Sequence, residues 1–328
     1  MFNNLINKHD ILNLVNKIGQ DFWKKLFSKI NGSTKKHWES VYERMEFPPV
    51  NWWDIPAVRE RWNFLVSGDA KIDYVEYVSR KFLHGREALN VLSLGCGYGH
   101  KVMKWAELGK FDRIDAFDLS NKSIEYAESQ AKKKGYNAII RYRVADIYRE
   151  EYLKDFYDIV LVEHSLHHFS PLNIILNKIR EALKPDGYFI VDEFVGPTRF
   201  QWTKKQLYMV NALLSILPTH KKLEWDGVSA KTEVYSPSRL SMILSDPSEA
   251  VESSNIMPLL SETFNVIETK GYGGNVLHLL FNGIAHNFLS DDKNNLHILR
   301  CLFEIEDLFL SGEDVQSDFI LSVCRKKD

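Results

Sequence analysis

Short apolar runs alternate with amphipathic stretches through the middle of this chain, and that alternation sets its fold class. Runs at 90–94, 113–117, 139–144, 157–162 and 188–191 have the length and composition of buried strands. Stretches at 100–109, 121–134 and 171–183 lie between them and read as helices. Strands separated by helices of this length predict a parallel sheet with crossover connections. Ser170-Pro171 reads as a cap followed by proline at the first position of the third helix. Lys184-Pro185-Asp186-Gly187 is the turn that feeds the fifth strand. Further runs at 264–269 and 319–324, with helices near 277–289 and 293–310, complete seven strands. The expected class is α/β, a mostly parallel sheet with an antiparallel edge strand.

Outside this region the pattern is helical. Residues 1–85 form an N-terminal helical segment with Trp23, Trp38, Trp52, Trp53 and Trp62, broken at Phe47-Pro48-Pro49 and at Ser67-Gly68-Asp69. Leu5, Leu12, Val15, Phe22 and Leu26 fall near one helical face, with Lys17, Lys24 and Lys29 elsewhere. Such a face packs on its own domain or on a second copy, as in a homo-oligomer; peripheral contact with a membrane surface is the alternative. Residues 201–256 read as a helical insertion with Leu207, Val210, Leu213, Leu214 and Leu217 on one stripe. The α/β domain therefore comprises 86–200 and 257–328, and the two added pieces are expected to cover its ligand site.

Composition narrows the function. The formal net charge is −2, without the basic footprint that nucleic acid demands. Cys96, Cys301 and Cys324 are odd in number and lack metal-ligand spacing, which fits a reducing cytoplasm and excludes a disulfide framework. No apolar run is long enough to span a bilayer, and no signal-peptide pattern opens the chain.

The candidate chemistry begins at Gly95-Cys96-Gly97-Tyr98-Gly99, between the first strand and the next helix. Glycines permit a tight turn and close ligand approach. A dinucleotide fingerprint would need Gly or Ala at position 100, where His100 stands. Asp118-Leu119 ends the second strand, Asp146-Ile147 follows the third and Glu163-His164 the fourth, all at the strand ends where open α/β sheets bind ligands.

In order and spacing, these motifs across residues 89–195 resemble the class I S-adenosylmethionine-dependent methyltransferases. The resemblance implies a Rossmann-like fold and S-adenosylmethionine as cofactor. It puts the methionine part at Gly95, Cys96 and Gly97, the ribose at Asp118 and Leu119, and adenine at Asp146 and Ile147, with Glu163 and His164 alongside. One departure is Ser93, where the family usually carries an acid. Trp52-Trp53-Asp54-Ile55-Pro56, Glu193-Phe194-Val195-Gly196-Pro197 and Gly273-Gly274-Asn275 further resemble a bacterial subgroup associated with surface-polysaccharide and natural-product synthesis.

That implies a glycosyl or small natural-product hydroxyl as acceptor, and a hydroxyl needs a general base. His167 is the first candidate and His168 the second, in Glu163-His164-Ser165-Leu166-His167-His168. Trp53, Arg61, Glu193, Arg199 and Trp202 are the candidate acceptor contacts. Asp192, Glu193 and a nearby His have the oxygen donors that suit magnesium, but scattered acids are weak evidence for a site, and no metal is expected. Methylation of a peptide carboxylate or an amine is the second reading. A catalytically silent cofactor-binding partner subunit is the third, supported by Ser93 alone.

Overall fold

The computed structural model describes residues 50–312 and 315–327. The N-terminal apolar stripe, with Trp23 and Trp38, lies outside them. The described chain opens with helices α1 (Pro56–Ser67) and α2 (Tyr74–Phe82), then alternates strand and helix: β1 (Leu89–Leu94), α3 (His100–Ala106), β2 (Phe111–Asp118), α4 (Asn121–Lys134), β3 (Ile140–Val144), β4 (Tyr157–Glu163), α5 (Leu172–Ala182) and β5 (Leu183–Phe194). There follow α6 (Lys204–Ile216), α7 (Arg239–Ser245), α8 (Ile256–Thr263), β6 (Phe264–Gly271), α9 (Leu277–Phe281), α10 (Lys293–Leu310) and β7 (Phe319–Lys326).

The strands form one seven-stranded sheet in the order β3-β2-β1-β4-β5-β7-β6. The first five are mutually parallel; β7 runs antiparallel to both β5 and β6. The antiparallel strand sits one place inside the edge, with β6 outermost. Burial follows that order. Central β4 is buried along its length except at Glu163, whereas edge β6 alternates buried or half-buried with exposed positions.

Two cores flank the sheet, divided by strand alternation. Val91, Ile159, Leu161, Ile190 and Leu321 face one, with α1, α2, α4 and α6. Leu92, Val160, Val162, Val191 and Ile320 face the other, with α5 and α8. The expected stripe on α6 is realised, with Val210, Leu213, Leu214 and Leu217 buried. At about 25 cal/mol per Å², each such side chain contributes roughly 1.5–3 kcal/mol by burial.

Three local expectations change. Residues 222–238 are not helical; they loop through a bridge between Leu223 and Ala230. The helix expected over 277–289 breaks after Phe281, because Gly283 takes φ 81°. Helix α5 begins one residue late, with Pro171 at the cap in extended conformation. Ser170 makes no cap there because its hydroxyl donates to Glu252 instead.

Candidate active site

The parallel register brings the chemistry to one rim. Glu163 pairs with Asp192 across β4 and β5, and Glu193 and Phe194 pair with Ile320 and Phe319 on β7. Beside them, β1 ends in the glycine loop. Gly95, Gly97 and Gly99 all have positive φ, at 70°, 50° and 74°. Two of them also answer a packing demand: a β-carbon on Gly95 would fall 2.5 Å from Ser165 Cβ, and one on Gly99 2.4 Å from the Tyr142 hydroxyl oxygen. Gly97 instead borders open space, which leaves its backbone accessible to a ligand.

Asp118 sits against this loop. Its carboxylate accepts from Gly97 N at 2.8 Å and from Ser120 N at 2.9 Å. Burial raises its pKa, opposed by those backbone donors. Leu119 is half-buried beside it and Ile147 is buried. Asp146 lies at the rim, accepting from Tyr148 N at 3.0 Å. Burial, and then Asp118, push the Cys96 thiol well above its usual range, so it is no nucleophile at neutral pH. A cradle of left-handed glycines, one facing open space, with a buried acid on its backbone, fits S-adenosylmethionine.

Glu163 accepts from the Tyr74 hydroxyl at 2.5 Å and Trp105 Nε1 at 2.9 Å. Burial raises its pKa, while Lys101 opposes that shift. Next to it, Asp192 is a hub: Lys101 Nζ lies at 2.7 Å, the Tyr272 hydroxyl at 2.5 Å and His164 Nε2 at 3.2 Å. Burial would raise Asp192, but Lys101 and His164 outweigh it and hold the carboxyl far below its ordinary range. His164 adopts φ 55°, rare for a residue with a β-carbon. Its N–H donates to Asp192 O at 2.7 Å, which holds that conformation.

Glu193 is fully buried, yet its carboxylate is saturated. One oxygen accepts from Ser165 N at 2.9 Å and Leu166 N at 2.5 Å; the other meets His167 Nδ1 at 2.5 Å and Phe194 N at 2.6 Å. With Nδ1 so held, His167 turns Nε2 toward Glu249, whose Oε1 is 3.5 Å away. Burial lowers the pKa of His167, but Glu193 and Glu249 outweigh it and the net direction is up. His168 goes the other way: burial, then its neighbour His167, lower it to about 3.

These groups line a cavity of about 750 Å³. His164, His167, His168, Asp192 and Glu249 form its polar wall, Trp53, Trp62, Phe194, Phe200 and Phe319 its aromatic faces, and Arg59, Lys101 and Lys104 its cations. Of the expected acceptor contacts, Trp53 lines the cavity directly, with its ring 5.9 Å from that of His164. Glu193 acts from behind His167.

Three others are placed differently. Arg61 is turned into the fold, its guanidinium 3.0 Å from Glu306 and 2.5 Å from Asp307, because a buried cation requires carboxylate partners. Arg199 points at main-chain carbonyls of Glu249 and Pro247, at 3.0 and 2.7 Å. Trp202 stands behind the wall, stacked on Phe200 at 5.2 Å. Sequence reasoning missed Glu249, Lys101, Tyr74 and Tyr272. None carries a local motif; only the fold brings them to the strand ends.

Residues 86–263 match a family described as methyltransferase domain. The chain belongs to that family. S-adenosylmethionine is the cofactor of this methyltransferase domain. Over 113 residues it is 28% identical to (S)-coclaurine N-methyltransferase of Thalictrum flavum subsp. glaucum, covering 34% of this chain and 31% of that protein. Over 112 residues it is 28% identical to malonyl-[acyl-carrier protein] O-methyltransferase of Acetivibrio thermocellus, covering 34% of this chain and 38% of the relative. The chain thus spans about a third of the length of these two relatives. Among solved structures, phosphoethanolamine N-methyltransferase 2 of Haemonchus contortus, in complex with phosphomonomethylethanolamine and S-adenosylhomocysteine, shares the fold. The TM-score is 0.52 at 14% identity, over 90% of this chain and 61% of that one. Among the described residues, no helix is long and apolar enough to cross a membrane.

Proposed function

We propose that this methyltransferase methylates a hydroxyl oxygen on a glycosyl or small natural-product acceptor. The observation that carries this reading is His167, held through Nδ1 by buried Glu193 and presenting Nε2 to the cavity wall beside Glu249. A hydroxyl must lose its proton as it becomes a nucleophile, and a histidine oriented by a carboxylate is suited to receive it. A carboxylate acceptor would not require this group.

When bound, S-adenosylmethionine supplies an electrophilic methyl group on a good leaving group. The chain's own residues bind and orient. Gly95, Gly97 and Asp118 hold the cofactor, and Asp146 with Ile147 lies where the adenine is expected. Glu163 and Asp192 keep the rim fixed through Tyr74, Trp105, Lys101 and Tyr272. The aromatic faces of Trp53, Trp62 and Phe200 suit stacking against a sugar or an aromatic ring, and Arg59, Lys101 and Lys104 suit bonds to its oxygens. Helices α1 and α2 and the 201–256 segment cover the acceptor side.

The experiment is an acceptor panel of glycosides, phenols, amines and carboxylates, followed by S-adenosylhomocysteine release. Turnover should appear with hydroxyl acceptors and fall about 10²–10⁴-fold in His167→Ala. Turnover confined to carboxylates or amines, or full activity of His167→Ala, overturns the hydroxyl reading.

A further inference from the structure

We propose that His167, His168 and Glu249 form a site for a divalent transition-metal cation of the zinc type, in the wall of the acceptor cavity. The three residues each offer a ligand atom, and these atoms lie within 4.8 Å of one another. His167 Nε2 and Glu249 Oε1 are 3.5 Å apart. Zinc-to-ligand bonds of about 2.0–2.1 Å set tetrahedral ligand atoms roughly 3.3–3.4 Å from each other, so this edge is already at coordination distance. Two imidazoles and one carboxylate suit zinc, cobalt or iron rather than magnesium, and three protein ligands leave a position open for a substrate oxygen.

The surroundings are those of a built site. Histidine ligands are commonly held through their second nitrogen by a carboxylate, which fixes the ring and makes it a better donor. Here Glu193 holds His167 Nδ1 at 2.5 Å. For His168, Ser248 Oγ lies 3.3 Å from Nδ1 and itself donates to Asp246 at 2.7 Å, so with Nε2 as the ligand atom that relay would also end on a carboxylate. Glu249 comes from a loop fixed by Arg199 and by the bond from Val251 N to His167 O at 3.1 Å. Buried Glu193 and half-buried Glu249 flank one imidazole, an excess of negative charge that a divalent cation would neutralise. Ligands so far apart in sequence have no motif spacing, which is why the sequence alone suggested no metal.

The chemistry rests on the hydroxyl acceptor of that reading and not on His167 as its base: with the cation bound, His167 Nε2 is a ligand and the cation's charge takes over the activation of the hydroxyl. An acceptor hydroxyl in the open position would lose its proton to water through the cation's charge. Its oxygen lone pair would form the O–CH₃ bond as the S–CH₃ bond breaks, with that electron pair remaining on sulfur. The products are the methyl ether, S-adenosylhomocysteine and one proton. In the loaded enzyme, the cation takes the place that a proton on His167 Nε2 would otherwise hold.

The test is calorimetry on the full chain after chelator treatment, titrated with zinc(II), and visible absorption with cobalt(II). We expect one tight equivalent and a cobalt spectrum of low coordination number. Glu249→Gln and His168→Gln should each weaken binding at least tenfold while circular dichroism is unchanged. His297→Ala, beside exposed Cys301, controls for surface binding and should leave the equivalent intact. Absence of a stoichiometric equivalent, or an equivalent unaffected by both Glu249→Gln and His168→Gln, overturns the site. If no metal binds yet His167→Ala loses turnover on a hydroxyl acceptor, the metal site fails and the hydroxyl reading survives. If metal binds but only carboxylates are methylated, the reverse holds.

Discussion

The guanidinium of Arg199 donates to the main-chain carbonyl of Glu249 at 3.0 Å, which ties the turn that follows the fifth strand to the loop that completes the cavity wall. A second bond, to Pro247 O at 2.7 Å, fixes the same loop. Arg199 is therefore a positioning residue. Its replacement by Ala leaves Glu249 in place chemically but frees its backbone. We expect turnover to fall about 10–100-fold, the usual consequence of a misplacement near 1 Å, with acceptor KM and cofactor affinity little changed. Steady-state kinetics with calorimetry on Arg199→Ala check this. A rise in KM at constant kcat would instead make Arg199 a direct acceptor contact.

Asp118 has two backbone donors, Gly97 N and Ser120 N. Replacing it with Asn keeps the shape and removes the charge. A hydrogen bond to a charged group is worth about 1.5–3 kcal/mol. Asp118→Asn should therefore weaken S-adenosylhomocysteine binding about 10–100-fold. Calorimetry showing unchanged affinity would remove Asp118 from the cofactor site.

Gly95 couples the cofactor loop to the histidine segment, since any β-carbon there meets Ser165. Gly95→Ala adds that clash to an unfavourable φ of 70°. The expected cost is on the order of 1–3 kcal/mol of stability, together with loss of cofactor binding. Gly97→Ala, whose β-carbon meets open space, should cost less stability but still impair binding. Equal melting temperatures for the two variants would contradict the packing account.

These contacts show which parts of the molecule were legible beforehand. The strands were, because buried parallel strands such as Tyr157–Glu163 are apolar almost throughout and stand out from their neighbours. The rim acids were legible too, because Asp118 and Glu163 close strands whose ends could be read locally. The destinations of Arg61 and Arg199 were not. Arg61 finds Glu306 from a helix 245 residues away, and a guanidinium's choice between a cavity and a buried carboxylate depends on that distant packing. Glu249 was invisible for the same reason. Residues 222–238 carry apolar residues without the turn-to-turn contacts a helix needs, so tertiary packing decides their path.

Asp318 offers a test in which the site plays no part. Its side chain is buried, 2.9 Å from Gln206 Nε2. Burial pushes its carboxyl up to about 8, Glu306 adds to the rise, and the bond from Gln206 opposes it. In the unfolded chain the same group titrates near 3.9. The native state thus keeps a proton that the unfolded state gives up. Its contribution is fully present below about pH 4, declines as pH rises and the unfolded carboxyl ionises, and levels off above pH 8. Asp318→Asn retains an oxygen that can accept from Gln206 and removes the titration. The variant should match the native protein near pH 4 and exceed it at pH 8, by on the order of a few kcal/mol. Denaturant unfolding at several pH values measures the difference directly. A gap that stays flat from pH 4 to 8 would mean that Asp318 is ionised in the folded protein and held by donors beyond Gln206.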